Sequence, residues 1–161
     1  MKPNLYLETS IVSYLAALPS RDLVVAAHQQ ITHEWWVEQR HRYELFVSEL
    51  VIQEITMGDR DAAKRRLTLV EALPVLTISE EAILLGEQLQ KCAMLPAKAN
   101  ADALHISLAA FHRIDFLLTW NCRHIANGRT RRTRRAIDEA LKAQGMGSPI
   151  IVTPEELPEE D

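Results

Sequence analysis

Five short apolar runs alternate along the chain with longer segments of helical periodicity. The runs fall at residues 4–7, 43–47, 75–78, 116–119 and 150–152. Apolar runs of this length, bounded by turn and capping residues, are typical of buried strands. Strands that alternate with helices predict an α/β/α fold, in which a central parallel sheet of four to five strands is flanked by helices.

Capping residues mark the starts of the helices between these strands. Thr9 and Ser10 are candidate N-caps for a helix over residues 11–18, and Asp22 is one for a long helix that extends to about residue 42. The apolar residues of the long helix recur at helical spacing, so we expect them to face the core and, in part, a second copy of the chain. They are Leu23, Ala26, Ala27, Ile31 and Trp35.

The length of 161 residues fits a single domain with a substantial core. No linker or internal repeat divides the chain, so we predict one domain over residues 1–153 and an acidic tail over residues 154–161. An apolar fraction of 47% places the chain among ordinary globular proteins. No apolar run reaches the ~18 residues that a membrane span needs, and we expect a cytoplasmic protein without a membrane partner.

Charge is unevenly distributed along the chain. A net charge of −4 argues against a protein that coats nucleic acid without specificity. Residues 128–144 nevertheless form a basic stretch that includes Arg131, Arg132 and Arg135. These arginines are candidates for binding the phosphate backbone of RNA or an acidic protein partner, and a solvated helix face is the alternative.

Four polar residues interrupt or close apolar elements. Glu8 follows the first predicted strand, and Asn121 follows the fourth. Glu54 lies on the helix after the second strand, and Asp102 lies near the start of an apolar helix predicted over residues 99–111. The carboxyl ends of parallel strands meet at one crevice, where ligands bind. We therefore expect these four side chains to form one anionic site.

This set of side chains is suited to a hard divalent cation. Mg²⁺ and Mn²⁺ prefer octahedral oxygen ligands, retain several waters and need only a few protein carboxylates. A phosphodiester nuclease uses such an ion to polarise the phosphate and to activate an attacking water. The four positions together predict a metal-dependent nuclease, whereas each alone is compatible with a helix cap, a turn or a solvated helix face.

The order of these motifs resembles that of the PIN domain, and in particular of the VapC-like toxins of bacterial type II toxin–antitoxin pairs. The matching segments are Glu8-Thr9-Ser10, residues 48–54 (SELVIQE), Asp102-Ala-Leu-His105 and residues 117–121 (LLTWN). The resemblance implies a compact domain with Mg²⁺- or Mn²⁺-dependent endoribonuclease activity on RNA. It also implies frequent homodimers and inhibition by a small antitoxin that covers the acidic pocket.

The resemblance suggests a role for each of the four polar residues. Glu8 and Asp102 are expected to ligate the metal, and Asn121 to complete its shell. Glu54 is expected to orient a water on the metal or to act as a general base. All four are therefore predicted catalytic residues.

Three neighbouring side chains are predicted to support the site or to contact substrate. The hydroxyls of Thr9 and Thr119 are placed to fix the carboxylates or to touch phosphate, and capping of strand ends is the alternative. His105 lies three residues after Asp102 on the same helix face, so it is a candidate for contacting a phosphate. A packed histidine is the alternative.

The chain departs from the family pattern at two of the four positions. Glu8 and Asn121 stand where aspartate is usual, and the amide of Asn121 brings no charge. The three carboxylates of Glu8, Glu54 and Asp102 suit one protein-bound ion. These departures keep open a second hypothesis, a catalytically weak or inactive PIN-like module that binds RNA or a protein. A third hypothesis is a phosphatase or 5′-nuclease that acts on DNA.

Overall fold

A five-stranded parallel sheet forms the centre of the protein in the computed structural model, which describes residues 1–121 and 131–157. All strand pairs are parallel and the strand order is β3-β2-β1-β4-β5, which confirms the predicted α/β architecture. The strands are β1 (Asn4–Leu7), β2 (Glu44–Ser48), β3 (Val75–Leu76), β4 (Phe116–Leu118) and β5 (Ile150–Val152).

Helices connect the strands. Within the described residues they are α1 (Thr9–Ala16), α2 (Leu23–Glu38), α3 (Glu49–Ile55), α4 (Arg60–Val70), α5 (Glu80–Cys92), α6 (Asn100–Phe111) and α7 (Arg131–Ala143). Short 3₁₀ turns occur at Arg40–Arg42 and Ala97–Ala99.

The central strand β1 sets the position of the crevice. It pairs with β2 on one side, where Leu5 lies beside Leu45, and with β4 on the other, where Leu7 lies beside Leu118. The backbone N–H of Glu8 continues this ladder by donating to the Leu118 carbonyl at 3.1 Å. Because the strands run in the same direction, the segments that follow β1, β2 and β4 leave the sheet at the same edge.

Apolar residues of β1, β4 and α6 form the centre of the core. Leu5 and Leu7 have no exposed surface, nor do Leu117 and Leu118. Helix α6 buries almost every residue from 103 to 110, as its all-round apolar sequence predicts. The core therefore lies directly behind the strand ends that carry the candidate site.

The first helix begins earlier than predicted. Its N-cap is Glu8 rather than Thr9 or Ser10, because the Glu8 carboxylate accepts a hydrogen bond from the Ser10 backbone N–H at 2.9 Å. The helix then spans Thr9–Ala16 instead of residues 11–18. A predicted ligand is therefore also the residue that starts α1.

The buried face of α2 differs in part from the predicted one. Trp35 is buried as predicted, but Leu23 is 86% exposed, and Gln29 and Thr32 are buried instead. The polar side chains can be buried because they are hydrogen-bonded; Thr32 Oγ1, for example, donates to the His28 carbonyl at 2.6 Å. Asp22 caps the helix as predicted, through bonds from two backbone N–H groups to its carboxylate.

The last described residues fold back onto the domain. Leu157 is buried and belongs to the hydrophobic core, although it lies in the segment predicted as a tail. Residues 158–161 lie outside the described part of the chain, so the boundary of the acidic tail stays a prediction. No helix in the described ranges is long and apolar enough to cross a membrane.

Candidate active site

Glu8 is held at the end of β1 through a single carboxylate oxygen. Its Oε2 accepts hydrogen bonds from the Ser10 N–H at 2.9 Å, from the Thr119 hydroxyl at 2.9 Å and from the Ser10 hydroxyl. The side chain is 3% exposed. None of these three bonds uses Oε1, so within residues 1–121 and 131–157 the second oxygen of this buried carboxylate is not engaged by them.

Glu54 is also held through a single carboxylate oxygen. Its Oε1 accepts hydrogen bonds from the Thr9 hydroxyl at 2.7 Å and from His105 Nε2 at 2.6 Å. Neither bond uses Oε2. Because Thr9 directly follows Glu8, the two glutamates belong to one connected cluster.

The environment of Glu54 favours its ionised form. Burial alone raises the pKa of this carboxyl group, but the His105 imidazole and the Thr9 hydroxyl lower it by more, so the pKa lies below its ordinary value. Glu54 is therefore a carboxylate at neutral pH.

Helix α3 brings Glu54 to this position. Ser48 ends β2 and caps the helix by accepting a hydrogen bond from the Val51 N–H at 3.1 Å. Leu50, Val51 and Ile55 anchor α3 in the core. Glu54 lies three residues after Val51, one turn further along the helix, where its side chain is partly exposed.

Asp102 and His105 lie on the same face of α6. Asp102 is in the first turn, where the helix dipole favours a carboxylate, and its side chain is half-buried. His105 follows one turn later and contacts Glu54. The spacing of three residues therefore directs Asp102 toward the edge of the sheet that carries Glu54.

The two threonines act on the carboxylates. The Thr119 hydroxyl donates to Glu8 and accepts a hydrogen bond from the Asn121 backbone N–H at 3.0 Å. The Thr9 hydroxyl donates to Glu54. Of the two roles predicted for these residues, the contacts support fixing the side chains of the site. Asn121 itself is exposed.

His105 is placed inside the protein. It is 1% exposed, and its Nδ1 lies 2.6 Å from the Tyr6 hydroxyl while its Nε2 lies 2.6 Å from Glu54. Both ring nitrogens are thus engaged by protein groups. This placement does not support the predicted contact with substrate and matches the alternative of a packed histidine.

Trp120 joins the site to α2. Its backbone N–H donates to the Ser10 hydroxyl at 2.9 Å, and its indole N–H donates to Thr32 Oγ1 at 2.8 Å. The indole ring is buried and stacks on His28 at 4.0 Å between centroids. Ser10 was expected only as a helix cap, yet its hydroxyl links Glu8 to this backbone.

The basic helix α7 presents its arginines to solvent. Arg131, Arg132 and Arg135 are exposed, and the helix packs against α5 through an apolar stripe. The stripe consists of Ile137, Ala140 and Leu141. Arg129, at the start of the basic stretch, lies outside the described residues.

The donors at the site are oxygen atoms, as a hard cation requires. Within residues 1–121 and 131–157, no group of three or more acidic, histidine or cysteine side chains is close enough to hold a metal ion by itself. Mg²⁺ retains most of its waters and binds proteins through one or two carboxylates. The carboxylate oxygens of Glu8, Glu54 and Asp102 are chemically suited to an ion that is held largely through its waters.

Comparisons with known proteins place the chain by its fold. Neither the models of known protein families nor the sequences of curated proteins match it. A similar solved structure is that of VapC20 from Mycobacterium tuberculosis, described as a sarcin-ricin loop cleaving toxin. It has a TM-score of 0.57 and 15% sequence identity, over 78% of this chain and 95% of that one.

A second similar structure covers more of the chain. It is VapBC2 from Rickettsia felis, bound to a DNA fragment from the VapBC2 promoter. The TM-score is 0.57 at 14% identity, over 92% of this chain and 97% of that chain. Together these similarities confirm the fold that the resemblance in the sequence implies. The chain has the fold of a VapC-like PIN domain.

Proposed function

We propose that the protein is a Mg²⁺- or Mn²⁺-dependent endoribonuclease, the toxin of a toxin–antitoxin pair. The main support is the pair of carboxylates at the carboxyl edge of the sheet, each held through one oxygen by neighbouring hydroxyl and N–H groups. Such clamping fixes the position of a carboxylate while leaving its second oxygen for a ligand. The cleaving activity named for VapC20 supports RNA as the substrate.

Glu8 and Asp102, with Asn121, would hold the ion, in part through its waters. A bound Mg²⁺ or Mn²⁺ would polarise the scissile phosphate and stabilise the charge on the leaving oxygen. The oxygen donors of these side chains match the preference of both ions.

Glu54 would orient the attacking water. Because its pKa is lowered, it accepts a hydrogen bond from the water readily but is a weak base for complete proton removal. The water oxygen attacks phosphorus and gives up a proton to solvent, the bond to the leaving ribose oxygen breaks, and that oxygen gains a proton from solvent. Of the two roles predicted for Glu54, the lowered pKa favours orientation.

We expect three partners, namely RNA, a small antitoxin and a second copy of the chain. The exposed arginines Arg131, Arg132 and Arg135 would contact the RNA backbone. The fold shared with VapBC2 supports a small antitoxin that binds the acidic crevice. Exposed apolar residues on α2, namely Leu23, Val24 and Val37, would contribute to a homodimer. Cleavage of RNA would take place in the cytoplasm.

Cleavage of a panel of structured and single-stranded RNAs with and without Mn²⁺ tests this proposal. Asp102→Asn should lower the metal-dependent rate by about 100-fold, because it removes a predicted ligand charge. Asp138→Asn, on the exposed face of α7, is the matched control and should leave the rate unchanged. Circular dichroism melting of each variant checks that the fold is intact. Equal rates for wild type and Asp102→Asn would remove the assignment.

A non-catalytic PIN-like module remains the second candidate. It is favoured by the amide of Asn121 at a position where the family usually has a carboxylate. RNA binding without cleavage in any divalent metal would support this second candidate. Cleavage of flapped DNA, but not of RNA, would instead support a DNA nuclease.

A further inference from the structure

A chain of hydrogen bonds runs from the end of β2 to Glu54 through the interior of the protein. The Ser48 and Tyr6 hydroxyls lie 2.7 Å apart, and the Tyr6 hydroxyl lies 2.6 Å from His105 Nδ1. His105 Nε2 then lies 2.6 Å from Glu54 Oε1. Three buried side chains, one each from β2, β1 and α6, thus form a series of hydrogen bonds that ends at Oε1 of Glu54.

The three side chains that link β2 to Glu54 are all buried. Ser48 and Tyr6 have no exposed surface, and His105 is 1% exposed. Buried polar groups that lack a partner are costly, so each proton in the chain must have an acceptor. The Glu54 carboxylate can only accept, so His105 Nε2 is the donor at this end of the series of bonds.

The first hydrogen bond of the series lies at the start of α3. Ser48 Oγ accepts a hydrogen bond from the Val51 N–H, so its own proton is available for the Tyr6 hydroxyl oxygen. In the neutral tautomer that carries its proton on Nε2, His105 Nδ1 accepts from the Tyr6 hydroxyl. A neutral imidazole that accepts at Nδ1 carries its proton on Nε2, where it donates to a carboxylate.

The same chain fixes the orientation of the imidazole. Tyr6 is part of the central strand, and its ring lies edge-on to the His105 ring at 5.7 Å between centroids. Rotation of the imidazole would break the bonds at both nitrogens. Glu54 Oε1 therefore meets a donor whose position is set by the sheet rather than by the crevice surface.

We propose that Tyr6 and His105 are positioning residues that lock the Glu54 carboxylate through Oε1, so that Oε2 is directed at the attacking water. This inference rests on the proposed nuclease function. Neither residue touches substrate or metal, so both act on the rate through Glu54.

Tyr6→Phe tests the proposal with the smallest change. It removes one hydroxyl and should lower kcat about 10-fold or more, as loss of a supporting hydrogen bond behind a catalytic group does. The KM for RNA and the Kd for Mn²⁺, measured by calorimetry, should stay within about twofold, because the metal-holding carboxylates are unchanged. Tyr43→Phe removes a hydroxyl from a buried tyrosine at the opposite end of β2 and is the matched control.

His105 variants keep the test decisive if Tyr6→Phe folds poorly. The amide of His105→Gln places a donor near the position of Nε2, whereas His105→Leu places none. The proposal predicts that His105→Gln retains at least about 10-fold more kcat than His105→Leu at equal metal affinity. Equal kcat values for wild type and Tyr6→Phe, or for the two His105 variants, would overturn it.

Nitrogen-15 spectroscopy of the wild-type protein separates this proposal from the nuclease function. The His105 ring should carry a proton on Nε2, where it meets Glu54, and Tyr6→Phe should shift the Nδ1 resonance by removing its hydrogen-bond partner. These signals do not require cleavage. An inactive protein with the expected signals would refute the nuclease function alone, whereas a His105 Nε2 without a proton would refute the link from His105 to Glu54.

Discussion

At the scale of single residues, the site depends on hydroxyl groups as much as on carboxylates. The Ser10 hydroxyl donates to Glu8 and accepts from the backbone N–H of Trp120. The Thr119 hydroxyl donates to Glu8 and accepts from the N–H of Asn121. Each hydroxyl therefore joins a glutamate at the end of β1 to the segment after β4.

Ser10→Ala should destabilise the protein by about 1–3 kcal/mol, because the buried N–H of Trp120 loses its acceptor. Ser13→Ala, on the same helix at a half-buried position, should change stability by no more than about 0.5 kcal/mol. Urea unfolding measures both. If both variants lose the same free energy of unfolding, the hydrogen bond from the Trp120 N–H to the Ser10 hydroxyl does not contribute to stability.

Glu54 should make stability depend on pH. Its pKa in the folded protein lies below the ordinary value of 4.5, because the His105 and Thr9 hydrogen bonds outweigh its burial. Its contribution is thus fully present above the unfolded pKa and is lost as pH falls through the lower folded pKa. The stability advantage of wild type over Glu54→Gln should therefore shrink as pH falls from about 5 to 3.

Urea unfolding of wild type and Glu54→Gln at several pH values checks this expectation. Glu71→Gln, at an exposed position, controls for the removal of one negative charge. An advantage of wild type that grows toward pH 3 would contradict the assignment of the hydrogen bonds at Glu54.

The sequence predicts the polar residues at the strand ends better than the side chains that contact them. Glu8 and Asn121 follow apolar runs, so their places at strand ends can be inferred from the pattern alone. The link from Tyr6 to His105 joins residues 99 positions apart and depends on how β1 faces α6. The available signal was a tyrosine between two buried leucines, since a buried hydroxyl needs a partner.

At the scale of elements, α6 is held close to α5 by a glycine. A Cβ on Gly86 would lie 3.4 Å from the backbone Cα of Leu104, which is ordinary contact. Any larger side chain would meet this backbone. The close approach fixes the helix that carries Asp102 and His105.

Gly86→Ala should therefore be tolerated, and it should gain up to about 1 kcal/mol from helix propensity. Gly86→Leu should cost about 1–3 kcal/mol, because it forces α5 away from the Leu104 backbone. Urea unfolding of the two variants provides the measurement. Similar stabilities for the alanine and leucine variants would contradict the close packing of these helices.

Strands and capped helices were predictable because their signals are local. Asp22 caps the helix that the sequence assigns to it, and Ser48 and Ser79 cap α3 and α5 in the same way. Apolar spacing predicts the burial of Trp35 on α2 but not that of Thr32. The hydroxyl of Thr32 accepts a hydrogen bond from the indole of Trp120, which lies 88 residues away in the chain.

At the scale of the whole molecule, a protein of net charge −4 carries an exposed basic face on α7. If RNA binds along this face, affinity should fall with salt in proportion to the phosphates neutralised. Replacing Arg131, Arg132 and Arg135 together by alanine should reduce the slope of log K against log salt by about 2. Fluorescence anisotropy with a labelled single-stranded RNA measures the slope.

The matched control replaces charges of the opposite sign on the same helix. Asp138→Asn with Glu139→Gln alters the exposed face of α7 without removing an arginine. This variant should keep the slope of wild type. If the triple arginine variant keeps the slope of wild type, RNA binds to another surface of the protein.

The central claim is that Glu8, Glu54 and Asp102 serve one divalent ion. Anomalous diffraction from crystals soaked in Mn²⁺ tests it most directly, because the scattering identifies the ion and its position together. The account predicts a manganese peak within reach of all three carboxylates, directly or through one water. Manganese bound only elsewhere in a saturated crystal, or no peak at this edge of the sheet, would contradict it.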